Sequence, residues 1–554
     1  MKPIIIRQHD QLLVIDKQNQ FAEIKITNFC QIKQVVFETY LTQISCVKTL
    51  KIDINERQSV QKDQISTFYQ LRDLLLLKIT GDMKNLERIS IKYSIQDLCS
   101  YNIKKVVQFI QNSQNSAKVI DECQIQIMYS KPLIHMDNIL ESINKYYSCI
   151  AGFITSFTLR LQSDIGKESL LSLSQLLLLL KNVKKFTFQA STSLNLKTEE
   201  NLSQFIQSMT NIIKSTHSFI FDMRDASYQR GVISSITESL SLLISQGSEE
   251  LSTVIIDLEK VGWTFDRQKM IKPNFVFGIA NQMHKWPKSI QHLTINLDRA
   301  LSYNENIVGD NVKLLLEGIN QIMPQLKSFS LNLGGIGFSM NEFQVNFAET
   351  LCSLFNNAKK LTDIQLNIQG HLDMTLDQWT RLFQSIYNVP CLKKLVLDIE
   401  RWKNYTNDLE VRDQRMLINT FLDNLYRYHN KTLKQFHFNI DDWQYLQYYK
   451  YEYAQKLMKF DYVDDFQILW YKSTHDDSFK NLELIQTMSL NKKQEIYKLT
   501  LLKKLGFQLP KQSSIEFEQI QSEHLEKHVN YFLKLHNQIS HDSPTFSSIK
   551  MIEN

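Results

Sequence analysis

Three short stretches of this sequence hold residue types that could do chemistry. Tyr462-Val463-Asp464-Asp465 sets two carboxylates side by side, a pair able to hold a divalent cation. Metal-dependent phosphoryl chemistry needs a third carboxylate from another strand, and the nearest candidate is Asp398. His524-Leu525-Glu526-Lys527-His528 puts two imidazoles at i and i+4 of a predicted helix, a spacing that suits zinc. The run is neither H-E-x-x-H nor H-x-x-E-H and has no evident third ligand, so a solvated helix face is the better reading. Gly334-Gly335-Ile336-Gly337 lacks both G-x-G-x-x-G and a G-K-[ST] ending, so it reads as a tight turn and not a phosphate cradle. There is no G-x-S-x-G, no kinase signature set and no nucleophile–base constellation. The sequence therefore predicts a non-enzymatic protein, with no catalytic residue, cofactor site or metal site.

The elements that position these stretches follow a repeat. One apolar residue, taken as position 0, is followed by others at +3, +5 and +7. Clear copies are Leu251, Val254, Ile256, Leu258; Ile290, Leu293, Ile295, Leu297; and Leu326, Phe329, Leu331, Leu333. Others start at Val47, Leu86, Ile120, Ile154, Val183, Leu361, Leu392, Leu433 and Val463, with a weaker copy at Phe219, Phe221, Met223. Alternation over +3 to +7 has the period of a strand with one buried face. Between strands the spacing turns helical. Leu71, Leu74 and Leu75 share a face, as do Phe343, Phe347, Leu351 and Leu354 behind a capping box at Ser339 and Glu342. Thr375 and Gln378 cap a further helix whose Trp379, Leu382, Phe383 and Ile386 point inward. Strand plus helix, repeated roughly every 29 to 41 residues, predicts an α/β solenoid with parallel strands on one face and helices on the other.

This pattern resembles the leucine-rich repeat family, specifically its long, ribonuclease-inhibitor-like repeats. The resemblance implies a horseshoe with strands on the concave face, helices on the convex face, and binding of another macromolecule. The family pattern L-x-x-L-x-L-x-x-N/C-x-L puts Asn or Cys at +8. Here +7 is apolar and +8 is not consistently either residue. The Tyr462–Asp465 run resembles the Y-x-D-D motif of reverse transcriptases, yet Val463 and Phe466 already fit the repeat frame, which absorbs it. The expected organisation is a β-rich N-terminal cap at 1–46, a solenoid of about thirteen repeats at 47–470, a helical C-terminal cap or extension at 471–539 and a flexible tail at 540–554.

Composition narrows the class. The 554 residues carry 63 basic and 58 acidic side chains, a net charge of +5, with no long basic run, which argues against a nucleic-acid partner. The seven cysteines are scattered and lack C-x-x-C spacing, as buried thiols in a reducing, cytoplasmic setting would be. The most apolar stretch, Leu170 to Leu180, is broken by Ser172, Ser174 and Gln175 and is too short to span a bilayer.

The strongest functional signal is positional. Position +6 lies between two buried residues and should face out of the sheet. From the sixth unit onward it reads Asp222, Asp257, Asn296, Asn332, Asn367, Asp398, Asn439, all Asp or Asn. Earlier units give Asp53, Lys92, Gln126, Arg160 and Gln189. The seven-residue ribbon is the predicted partner-binding surface, suited to a protein with a basic or polar segment and not to a small-molecule substrate. A protein-binding scaffold or adaptor is the leading expectation. The alternatives are a structural subunit of a large cytoskeletal, ciliary or ribonucleoprotein assembly, a ubiquitin-ligase substrate receptor, or a repeat-type GTPase-activating protein using Arg160.

Overall fold

A computed structural model describes residues 4–8, 11–16, 20–27, 33–43, 47–56, 62–96, 107–113, 115, 119–129, 151–161, 167–190, 199–224, 232–261, 275–298, 305–334, 341–369, 374–399, 411–440, 453, 456, 459–460 and 465–469. Tyr462, Val463 and Asp464, the Ser339 cap, the His524/His528 pair and the segments 471–539 and 540–554 lie outside the described residues.

Sixteen strands form one sheet in strict sequence order. β1 (Ile4–Gln8), β2 (Gln11–Asp16) and β3 (Phe21–Thr27) are an antiparallel meander. From β3 onward every pairing is parallel. β4 (Thr49–Glu56), β5 (Arg88–Gln96), β6 (Val119–Tyr129), β7 (Ser156–Leu161) and β8 (Lys185–Ala190) are the longer strands. β9 (Ser218–Asp222), β10 (Thr253–Asp257), β11 (His292–Asn296), β12 (Ser328–Asn332), β13 (Asp363–Asn367), β14 (Lys394–Asp398), β15 (Gln435–Asn439) and β16 (Asp465–Leu469) each have five residues. Strands stack about 4.8 Å apart, whereas helices need about 10 Å. The array therefore curves with the strands inside and the helices outside, a leucine-rich-repeat-like solenoid.

From β4 to β15 the strand residues at +3 and +5 are buried and meet the helices in a single continuous core running from Ala22 to Phe460. Stacking rows run across repeats. Phe157, Phe186 and Phe219 stack at 6.3 and 5.8 Å, and Phe188 stacks on Phe221 at 5.2 Å. The helix Leu376–Tyr387 starts at the capping box read from the sequence. Gln378 N donates to Thr375 Oγ1 and Thr375 N donates to the Gln378 side chain. Its Trp379, Leu382, Phe383 and Ile386 are buried, and Phe383 stacks on Phe421 of the next helix at 4.3 Å.

One part of the sequence frame needs correcting. Ile120 pairs with Ile89, but the register shifts after it, passing over Asp121, so Cys123 pairs with Ile91 and Gln124 with Lys92. On its other side β6 pairs Gln126 with Thr158 and Met128 with Arg160. Gln126 therefore does not continue a row from Lys92 to Arg160. It pairs with Ser94, whose hydroxyl donates to the Gln126 amide oxygen at 3.2 Å. The outward +6 row is unbroken only from Arg160 onward.

Polar ties lock neighbouring units on the helix side. Buried His429, at the end of the helix Val411–His429, makes a 2.8 Å hydrogen bond through Nε2 to the Tyr387 carbonyl of the preceding unit. Burial holds its pKa below the usual 6.5, so the folded chain prefers the neutral ring. The unfolded chain then binds more protons as pH falls below about 6.5, and stability drops with it. Denaturant unfolding measured against pH should show this loss in the wild type and a flatter profile in His429→Gln. Parallel profiles would exclude His429 as the source.

Candidate functional site

The seven Asp and Asn residues of the ribbon stand in one row. Register pairs Asp222 with Asp257, Asp257 with Asn296, Asn296 with Asn332, Asn332 with Asn367, Asn367 with Asp398, and Asp398 with Asn439. Asn439 in turn faces Leu469, where the polar row ends. The structure gives these side chains a local task that the sequence did not reveal. Asp222, Asp257, Asn296, Asn332 and Asn367 each accept, through Oδ1, the backbone N–H two residues later, at 2.9 to 3.2 Å. Each is an Asx turn, in which a short polar side chain stands in for a backbone acceptor and ends the strand. At the next residue the backbone resumes. Leu297 N, for example, donates to Asn332 O and Leu333 N to Asn367 O, both at 2.8 Å.

The row is also cross-linked sideways. Arg160 Nε donates to Gln189 Oε1 at 2.7 Å, and Gln189 Nε2 to Asp222 Oδ2 at 3.1 Å. Arg224 grips Asp222 with Nε and Nη2 at 3.0 and 2.8 Å and lies 3.4 Å from Asp257. Asn296 donates to Asp257 at 2.9 Å, and Asn439 to Asp398 at 3.0 Å. Arg160 is thus tied into the row by Gln189. Between the ribbon and the strand starts runs the +4 row, Ile220, Ile255, Thr294, Ser330, Gln365, Val396 and His437, all half-buried on the helix-free face.

Burial sets the electrostatics here. Asp257 is pushed up to about 6, first by desolvation and then by the neighbouring Asp222 carboxylate, although Arg224, Asn296 and the Glu259 amide favour its charged form. A raised folded pKa means the folded chain holds a proton that the unfolded chain has released between about pH 4 and 6. Stability from this group is present at low pH and is lost as pH rises through 6.

The other chemistry-bearing stretches resolve as follows. Asp465 opens β16 and pairs through its backbone with Gln435. Asp398 closes β14 inside the ribbon. Gly334 sits in the turn after β12 and donates its N–H to Asn332 Oδ1 at 3.0 Å. A Cβ there would come within 2.8 Å of the Asp298 carboxylate and 3.0 Å of the Asn367 amide, so a larger residue must displace these side-chain ends. Among the described residues no group of three His, Cys, Asp or Glu is placed to hold a metal ion. No helix among them is long and apolar enough to cross a membrane. A cavity of about 300 Å³ on the helix side touches Cys352 and Arg381. Burial raises the Cys352 pKa, which leaves the thiol protonated and inert, and Arg381 is held by Asp377.

Two measurements probe the row. Asp257→Asn keeps the Asx acceptor and removes the buried charge, so it should stabilise the chain by about 1 kcal/mol at pH 7, with the gain vanishing near pH 4. A gain that persists at pH 4 would argue against desolvation of the carboxylate. Gly334→Ala should destabilise by about 1 kcal/mol by displacing the Asp298 and Asn367 side-chain ends. Unchanged thermal unfolding would show that this turn relaxes freely.

No protein-family model matches the sequence, and no curated protein matches it. Among solved structures the chain is similar to the leucine-rich repeat-containing protein LegL7 from Legionella pneumophila, at 12% identity and a TM-score of 0.31, over 62% of this chain and 93% of that one. The assignment of the architecture stands on the chain's own geometry: strands in sequence order, parallel from β3 onward, with helices along one face, form a leucine-rich-repeat-like solenoid.

Proposed function

We propose that this chain is a non-enzymatic scaffold or adaptor that binds protein through the helix-free face of β9 to β15. One observation carries the reading. Seven consecutive strands hold one register and present outward a row of mixed apolar and polar side chains, with no described helix lying over it. Ile220, Ile255 and Val396 give apolar contact, while Thr294, Ser330, Gln365 and His437 keep the face wet. A modestly apolar centre with a polar border is the composition of a non-obligate protein interface. The ribbon from Asp222 to Asn439 supplies that border, and its carboxylates favour a partner with a basic or polar segment.

Size sharpens the proposal. Seven strands of five residues cover roughly 29 by 17 Å, or about 500 Å². A standard interface takes about 800 Å² per partner. A stable partner must therefore reach past the strands onto one edge of the sheet.

The test uses the +4 row, because the ribbon residues also terminate strands. Ile255→Arg combined with Gln365→Arg places two long cations on the open face without touching the core. Affinity purification from native cells with mass spectrometry identifies partners of the wild type. Binding of such a partner should fall at least about tenfold in the double variant while thermal unfolding is unchanged. Recovery of no specific protein partner, or full binding by the variant, would sink the reading.

A further inference from the structure

The edge where strands begin carries charge that the open face does not. In the units of β11 to β15, the residue two before position 0 is Lys288, Lys359 or Lys431, and the residue one after it is Lys327, Lys393 or Lys434. Each of these five units contributes at least one such lysine, and all six side chains are exposed. Lys360 and Lys394 add to the same edge. Across the five segments from −2 to +2, eight lysines face one acidic residue, Asp363, which accepts from Thr362 Oγ1. None of the eight is ion-paired among the described residues.

The same edge behaves differently in earlier units. Lys48 is matched by Glu87 at 3.3 Å. Lys184 is matched by Glu250 at 2.7 Å, with His217 3.7 Å from the same carboxylate. Over β11 to β15 the strip runs across five successive strands with no ion pair among the described residues, between Glu249 and Glu250 before β10 and Asp465 at the start of β16. Helix dipoles account for only part of it, since Lys359 and Lys431 lie three and two residues past the helices Asn341–Asn356 and Val411–His429. A cation gains from a helix C-terminus within its last turn. Lys393 and Lys434 follow their helices by five or more residues, and their backbones are already bonded into the ladder. Five stacked strands crowd these charges into about 19 Å, where they repel one another until an anion arrives.

We propose that this strand-entry strip is a second binding surface, and that it takes an extended acidic polypeptide segment rich in Asp and Glu. Three features favour that occupant over nucleic acid. The five segments contain no Phe, Tyr or Trp on which bases could stack. They contain no Arg, whose forked guanidinium suits phosphate, and only Lys, a hydrated point charge suited to carboxylates in variable geometry. The opposite ends of the same strands carry Asp298 and Asp398, about 17 Å away, which would repel a polyanion broad enough to overhang both edges. A single extended chain fits along one edge, with about six residues crossing the strip.

The full chain should bind a labelled oligo-glutamate peptide of about ten residues at low ionic strength, with affinity falling steeply as salt is added. Lys359→Glu, Lys393→Glu and Lys434→Glu together should weaken binding at least about tenfold. Lys181→Glu with Lys184→Glu, on the part of the edge that already has Glu250, should change it little. Thermal unfolding confirms that both variants are folded. Equal binding by the triple variant overturns the proposal. So does a short duplex that displaces the peptide at a lower concentration of charge, which would make nucleic acid the occupant. The open-face variants leave this strip intact, so either surface can fail without the other.

Discussion

From β8 to β15 each repeat hangs its strand on one carbonyl of the unit before it. Lys184 O accepts from both His217 N and Ser218 N, and His217 O accepts from Ser252 N and Thr253 N. The chain of acceptors continues through Ser252, Gln291, Lys327, Thr362 and Lys393. A carbonyl has two lone pairs, so it can hold two consecutive amides and leave no freedom to slip. A slip of one residue would turn every buried side chain outward, so this contact guards the whole core.

Fixed register converts sequence positions into rows. The +3 and +5 rows become the core, including the phenylalanine stacks around Phe186 and Phe188. The +6 row becomes a line of Asx turns that ends each strand on cue and bonds sideways through Gln189, Arg224, Asn296 and Asn439. Over β11 to β15 the −2 and +1 positions become a basic edge. There charge is sorted across the width of the sheet, with lysines where strands start and Asp298 and Asp398 at the opposite margin. A partner bound as proposed across this part of the open face would meet opposite fields at its two margins, which would favour one orientation.

Much of this was legible along the chain. Apolar alternation at +3 and +5 exposed every strand from β4 to β16, and Thr375 with Gln378 announced a helix start, because these signals depend on residues close in sequence. Position +6 was also visible, but not its task. A hydrogen bond from Asn332 Oδ1 to Gly334 N needs the strand to end there, and the side chain's burial depends on neighbours some 35 residues away. The β6 frame was misread for a related reason. Ile120, Cys123, Ile125 and Ile127 fit two frames equally well, because a shift of two residues keeps the same side chains inward. Pairing with β5, past the extra residue Asp121, sets Gln124 opposite Lys92, whereas pairing with β7 sets Met128 opposite Arg160, so no single frame runs through β6.

The sequence by itself determined the architecture: strand and helix in alternation, repeated until a continuous core closes, because periodicity is local and each unit can bury its apolar face only against the next. Tertiary structure alone decided which polar rows have neighbours to satisfy them. Lys184 finds Glu250 two units away and Asp257 finds Arg224 across a strand, while the eight strand-entry lysines of β11 to β15 find no described carboxylate. Ion pairing acts over a few ångströms in space, and no spacing along the chain encodes which distant charges the fold brings within that reach.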